Sequence, residues 1–418
     1  GEDGLELEEV ESPTFARASK AYLSDGTQVP ANQPRFEPGK FGKAVMVEEG
    51  TTNLLTANQS SVETDTTGFI ANGSGTTISR DTTEHWCGSA SLKVVTAAVT
   101  LHGFFTNPFT TATGGQSYTA SVYLKGSGTV VLRLQERYNG TYLRETESAP
   151  IILNSTWQRV SVTATIGTDA NQILIYVANT TASTNTYWAD GLQIEQKSYA
   201  TSWTLGGTTR SPETLTIPTA GVLNPQEGTI EFWWCPINQP ASTMTGSQLV
   251  APPIIQVGNY YQNNSWLLWC GMGSQLKLFV RGDNATGWTG RWTIIPNLSW
   301  YQLNRWYHIV VRWENANTFW VFIDGVKYGP YVSSQPFTGI AGNIMSLGRL
   351  NASSGPSNAL YDDLRISSRA RTDEEILAAY QSNKPLQWDE WTTYKLDFDD
   401  KVRITTQGQI ICNELIEI

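Results

Sequence analysis

Short runs in which apolar and polar residues alternate constrain this chain more than any other feature. In 158–166 (QRVSVTATI) Val160, Val162, Ala164 and Ile166 alternate with polar neighbours, and in 229–236 (TIEFWWCP) Ile230, Phe232 and Trp234 define one face. Successive side chains of a strand point to opposite faces, so a period of two marks a strand with one face buried. Segments 307–313 (YHIVVRW) and 318–324 (TFWVFID) read as a hairpin around Glu314 to Asn317. Such runs recur throughout, separated by Gly, Asn, Asp and Ser turns, which is the pattern of β-sandwiches. The composition agrees: 16 Trp, 17 Tyr and 13 Phe favour strands, and only 16% of residues carry the charges that long surface helices need. At 418 residues the chain exceeds one ordinary domain, so two or three are expected.

Charge and cysteines exclude several functions. A net charge of −10 is unsuited to a phosphate backbone, so no nucleic-acid partner is expected. No apolar run reaches the length of a membrane span, so no membrane insertion is expected. No signal-peptide pattern is visible, and the start at Gly1 rather than Met suggests a processed or trimmed product. Cys87, Cys235, Cys270 and Cys412 are scattered and lack the tight pairs of zinc sites. Cys235 and Cys270 are left open between a cross-strand disulfide and free buried thiols.

One helix is expected. Thr372 followed three residues later by Glu375 forms a capping box, and Ile376, Leu377 and Tyr380 follow at helical spacing. Beyond it, residues 386–418 read as a β extension with apolar Leu396, Phe398, Val402, Ile404, Ile410 and Ile411. It either joins a sheet or pairs with another chain, since exposed strands invite pairing.

Five motifs in 51–203 resemble, in order, the strands of jelly-roll carbohydrate-binding modules: Asn53-Leu54-Leu55 with Val62-Glu63, then Gly88 to Val94, Gln116 to Tyr123, Trp157 to Ser161 and Tyr187 to Glu195. Residues 220–380 resemble a laminin-G or concanavalin-like sandwich, through Gly228 to Trp233, Arg305 to Val311, Val321 to Gly325 and Tyr361 to Ile366 with the capped helix. Gly39 to Met46 resembles the opening strand of such a domain, whose expected continuation is Glu213 to Pro218. The implied fold is all-β: two jelly-roll β-sandwiches, one short C-terminal helix and a C-terminal β extension. The implied division is a discontinuous laminin-G-like sandwich (1–50 plus 204–385), an inserted module (51–203) and the extension (386–418). Phe15 to Ser19, Asn32 to Phe36, Glu49 to Leu55 and Leu192 to Trp203 resemble runs in bacteriophage tail proteins.

A glycosidase on such a sandwich needs two carboxylates facing each other across a groove. Glu231, expected to alternate outward, and Glu136 have no such partner in the sequence. Glu145 and Glu147 share a face but read as a solvated strand edge, so no catalytic residue is assigned and no enzyme is expected. Sugar binding rests on aromatic rings, whose flat faces stack on a pyranose. The module offers Trp86, Tyr138, Tyr142 and Trp188, with Tyr138 and Tyr142 flanking the Asn139-Gly140 turn, besides Phe104 and Phe105. The second sandwich offers Tyr260, Tyr261, Trp288 and Trp292. The module resemblance implies a structural calcium, with Glu63 and Asp190 as ligands; hard oxygen donors from distant strands suit that ion. Asp362 and Asp363 mark a second such position.

Together these resemblances imply a virion-surface, extracellular tail or fibre-type phage protein that binds host cell-surface or cell-wall glycan. Other virion proteins and copies of itself, as a trimer for instance, are the expected partners. A purely structural spacer, and a polysaccharide hydrolase or its accessory module, are the alternatives.

Overall fold

A computed structural model describes residues 13–238, 243–245, 248–250, 253–270, 275–348, 356–398, 402–406 and 409–413. It is almost entirely β, in two compact units. The first comprises 1–18, 31–49 and 212–418, and the second 19–30 and 50–211. In sequence, then, the second unit interrupts the first twice.

The first unit is a sandwich of a seven-stranded and a ten-stranded sheet. In the seven-stranded sheet Thr14–Ala16 pairs with Thr214–Pro218, so strands about 200 positions apart share one ladder. The order continues through Ile344–Leu347, Pro253–Val257, Ser265–Cys270 and Leu276–Arg281 to Gly290–Ile295. In the ten-stranded sheet Gly228–Pro236 lies between Tyr307–Glu314 and Ala359–Ser367, and Lys43–Val47 also pairs with Ala359–Ser367. The expected alternation holds, because Ile230, Phe232 and Trp234 meet Leu215, Ile217, Ile255, Trp266 and Leu268 in one core. Each fully buried side chain of this kind contributes about 1.5–3 kcal/mol. The hairpin of Tyr307–Glu314 and Thr318–Ile323 forms as expected.

The helix runs over Asp373–Ser382 with both hydrogen bonds of the Thr372–Glu375 capping box in place. It packs Ile376 on Val310 and Phe322, on the side of the ten-stranded sheet away from the core. The C-terminal extension joins a sheet: Thr392–Leu396 pairs with Ala359–Ser367 and sends Tyr394 and Leu396 into the core. Backbone pairing then continues through Val402–Thr406 to Gln409–Asn413, while the side chain of Cys412 lies outside the described residues. Cys87, Cys235 and Cys270 are free and buried.

Polar burial marks the first unit. Arg17 and Arg35 both reach Glu213, at 2.7 and 2.6 Å, and Arg35 also reaches Glu48 at 3.1 Å, with all four side chains closed to solvent. Three of these four belong to, or adjoin, the runs that resemble tail proteins, and their place is the interior.

The second unit is a sandwich too. One sheet runs Thr141–Glu147, Thr129–Tyr138, Gln172–Asn179, Gly103–Thr106, Phe69–Asn72. The other runs Gln158–Thr165, Ser117–Gly126, Thr186–Glu195, Ser91–Val95, Thr77–Asp81. Leu132, Leu134, Ile175 and Val177 face Ala120, Val122, Leu192 and Ile194 across its core. Asn53 is fully buried here and donates to the Leu192 and Thr204 carbonyls while accepting from the Leu55 and Ile194 amides, joining the start of the unit to its end. A second helix, Ala57–Ser61, was not expected from the sequence; it carries its own capping box from Thr56 and Gln59.

Candidate functional site

In the second unit, the alternation that sends Leu132 and Leu134 inward turns Val131, Arg133, Gln135 and Arg137 outward. Cross-strand register then aligns Glu147, Arg133, Tyr176, Phe105 and Ile70 in one row across five strands. Glu145 and Gln135 pair in the next row, and Tyr142 pairs with Arg137 near the hairpin end. The polar groups hold one another. Arg133 bonds Glu147 at 2.9 Å and Glu145 at 3.1 Å, Gln135 donates to Glu145 at 3.3 Å, and Arg137 donates to Gln135 at 2.8 Å and to the Gly140 carbonyl at 2.7 Å. Rings interleave with them: the Arg133 guanidinium lies over Tyr176, and that of Arg137 lies 4.8 Å from the centre of Phe109. Tyr176 is fixed by Asn72, which donates to its hydroxyl at 2.6 Å, and itself donates to the Leu101 carbonyl.

Of the residues picked out from sequence, Phe105 lies in the row and Tyr142 at its hairpin end, with Tyr138 next along the strand at the rim. Tyr138 and Tyr142 are 52% and 50% exposed, beside a turn in which Asn139 and Gly140 both take positive φ, 44° and 85°. Such a turn matches the strand twist and suits Asn-Gly. Arg133, Gln135, Arg137, Tyr176 and Phe109 were not picked out. The only sequence signal of the first three is the polar half of the alternation in 129–138, which reads as ordinary solvent-facing strand, and Tyr176 and Phe109 lie outside that run.

Trp188, on the other sheet of the unit, and Trp86, in the loop before Ser91–Val95, do not join this face. Trp86 is 7% exposed, stacked on Tyr123 at 3.8 Å, set edge-on to Trp203, and bonded through Nε1 to the Ser24 carbonyl. Neither face of its ring is open, so its place is packing. Trp188 is half-buried and donates to Asp81 at 2.9 Å.

Glu63 and Asp190 converge on the loop 86–89. The Asp190 carboxylate accepts from the amides of Trp86 and Cys87 at 2.9 and 3.0 Å, and Glu63 accepts from the amide and hydroxyl of Ser89. Burial pushes the Asp190 carboxyl up to about 8, and the charge of Glu63 adds to that rise. Two carboxylates sharing a loop are the donor type a divalent cation takes, although both already accept from groups of that loop. No third acidic, His or Cys residue completes a cluster among the described residues, so backbone carbonyls and water would supply the other ligands. At the second position, Asp362 accepts from the Phe41 amide and Asp363 is ion-paired with Lys395 at 2.8 Å.

In the first unit, Tyr260, Tyr261 and Trp288 form a triangle with ring centres 5.4–6.2 Å apart, on the outward side of the seven-stranded sheet. Trp292 does not join them. It alternates to the core side, against Tyr331. Glu231 does not meet solvent: it is fully buried, 2.7 Å from Arg365 and 3.7 Å from Arg371. Glu136 is likewise buried, held by Arg144 and the Gly167 amide, both at 2.8 Å.

Residues 206–377 match the family profile described as the concanavalin A-like lectin/glucanases superfamily. Among solved structures, the CBM22-1 xylan-binding domain from Paenibacillus barcinonensis is similar at 17% identity, covering 37% of this chain and 99% of that one, with a TM-score of 0.28. The tandem CBM22-1-CBM22-2 domain from the same organism is similar at 14% identity over 77% of this chain and 98% of that one, with a TM-score of 0.30. Domain 4 of a GH43 extracellular arabinanase from Geobacillus stearothermophilus, in complex with arabinotriose, is similar at 19% identity over 41% of this chain and 73% of that one, with a TM-score of 0.31. No curated protein matches the chain.

Proposed function

We propose that the chain is a non-catalytic glycan-binding protein of a phage virion, and that the outward sheet face of the second unit is its principal binding surface. The observation that carries this reading is the row Glu147, Arg133, Tyr176, Phe105 and Ile70. It sets rings beside planar hydrogen-bonding groups on rigid strands. A neutral sugar presents the same mixture, apolar C–H faces and a rim of hydroxyls. Because Arg133 and Gln135 are already oriented by Glu145 and Glu147, little side-chain entropy remains to be lost on binding. The match of 206–377 to a lectin and glucanase superfamily supports the sugar reading. Glu136 and Glu231, each committed to arginine, support the non-catalytic one.

The virion placement is supported by the runs at 15–19, 32–36, 49–55 and 192–203. It implies an extracellular site, attachment to other virion proteins and self-association; a monomeric mass in light scattering would count against the last. Glu63 and Asp190 would hold a calcium that pins the loop 86–89.

The test is affinity electrophoresis of the full chain against xylan, arabinan and mixed-linkage β-glucan, with calcium and with chelator. At least one neutral polymer should retard the protein. Phe105→Ala and Arg133→Ala should each weaken binding about tenfold, as expected for central interface residues. Absence of retardation by every polymer, or folded variants that bind as the parent does, overturns the proposal. Equal thermal stability with calcium and with chelator removes the calcium.

A further inference from the structure

We infer that the first unit carries a second, independent binding site, on the outward side of its seven-stranded sheet, selective for an anionic glycan bearing uronic-acid carboxylates. Five rings run along this surface in successive contact. Trp269 meets Phe279 at 5.2 Å, Phe279 meets Trp288 at 5.3 Å, and Trp288 meets Tyr261 and Tyr260 at 5.4 and 5.9 Å. Tyr260 and Tyr261 are 44% and 49% exposed. A cation stands over three of the rings: Lys277 at 5.7 Å from the centre of Trp269, Arg291 at 5.2 Å from Phe279 and Arg281 at 4.4 Å from Tyr261.

The charge of this region sets it apart. Residues 237–304 contain Lys277, Arg281 and Arg291 against Asp283 alone, three minus one or +2, in a chain of net charge −10. None of the three cations meets a carboxylate among the described residues, whereas Arg17, Arg35, Arg312, Arg365 and Arg371 of the same unit all do. Beneath the rings, Nε1 of Trp269 and one terminal nitrogen of Arg281 are buried without an acceptor, while Arg281 donates through its other nitrogens to Asn263 at 2.9 Å and to the Ala285 carbonyl at 3.1 Å. The surface is therefore rich in rings and positive charge and poor in carboxylates. A hexuronate has the complementary chemistry: an apolar ring face to stack, and a carboxylate to take charge-assisted hydrogen bonds from Arg291. Cations resting on rings are held in place before any ligand arrives.

The experiment titrates the full chain with polygalacturonate and with its fully methyl-esterified form, which keeps the sugar ring and loses the charge. Polygalacturonate should bind at low salt. Esterification, or salt of about 0.5 M, should weaken binding about tenfold or more, since the contacts are exposed to screening. Lys277→Ser/Arg291→Ser should lose the acidic polymer while keeping the unfolding temperature of the parent; Trp288→Ala should lose it too. Equal binding of both polymers, an unaffected double variant, or tighter binding of oligo-dT than of polygalacturonate overturns the inference. The two-polymer comparison uses only the parent protein, so it decides even where a variant fails to fold. Repeating it in a Phe105→Ala/Arg133→Ala background removes the contribution of the face in the second unit, so either site can fail without the other.

Discussion

Two outward sheet faces, one on each sandwich, treat their cations in opposite ways. On the outward face of the second unit, Arg133 is matched by Glu145 and Glu147, and Arg137 is tied to Gln135 and a carbonyl. On the outward face of the first unit, Lys277, Arg281 and Arg291 rest on rings and meet no carboxylate among the described residues. Both faces combine rings with donors, so aromatic content alone does not separate them. The matching of charge does. A charge-balanced face orients hydroxyls with little ionic-strength dependence, while an unmatched one selects an anion and is screened by salt.

Inside the first unit the rule reverses, and arginine is matched completely. Glu213 receives both Arg17 and Arg35. Removing it would take from two buried cations the carboxylate they share, and breaking a buried network by deleting one partner costs about 3–5 kcal/mol. Glu213→Ala should therefore lower the urea midpoint of the first unit by that free energy and leave the unfolding of the second unit alone. A loss below about 1 kcal/mol would show that water relieves these charges and would break the contrast between interior and surface.

Acid should also separate the units. His308 is buried in the first unit beside Trp233 and Tyr380, neither ring nitrogen has a hydrogen-bond partner, and burial pushes its pKa down to about 4. Asp324 pulls the value up and Arg365 pushes it down, but desolvation dominates. The unfolded chain takes up this proton near 6.5 and the folded one near 4, so stability is complete above about 6.5 and falls as pH drops toward 4. The loss is on the order of 3 kcal/mol. Of the two histidines in the second unit, His85 is exposed and His102 contacts the Thr76 hydroxyl at 3.1 Å. Denaturant titrations from pH 7 to 4 should show the first unit weakening more. His308→Phe should flatten its profile; an unchanged slope in that variant excludes His308 as the cause.

What could be read in advance follows from the range of each signal. Strand alternation and turn chemistry are local, so 158–165, 228–236 and the hairpin at 307–323 were legible, as was the helix begun by Thr372 and Glu375. The helix at 57–61 was missed because one alanine and four polar residues carry no apolar periodicity, although Thr56 and Gln59 spell the same capping box. The proposed face was legible chiefly at its rim, where Tyr138 and Tyr142 flank a recognisable turn. Its centre depends on register between strands 30 to 70 positions apart, which no local pattern encodes. The neighbours Phe104 and Phe105 show the limit: one enters the core and the other the outward row, and only pairing decides which. Glu231 failed for a related reason. Alternation placed it correctly on the side of the strand away from the core, but that side is covered from far along the chain, where Arg365 and Arg371 bracket the carboxylate.

The mildest change offers the sharpest test of the comparison. Glu145→Gln/Glu147→Gln keeps the shape of the outward face in the second unit while leaving Arg133 unmatched, which is the state of Arg291 in the first. Both glutamates are partly exposed, so their ion pairs are each worth about 1 kcal/mol or less and the fold should persist. Affinity for a neutral polymer should fall modestly, because Gln135 and Arg133 lose their orienting carboxylates. Affinity for polygalacturonate should rise about tenfold and become salt-dependent, as an uncompensated arginine allows. Measured in a Lys277→Ser/Arg291→Ser background, that gain is attributable to the second unit alone. If the double glutamine variant gains no affinity for the acidic polymer, charge matching does not set selectivity, and the difference between the two faces must be sought in the geometry of their rings.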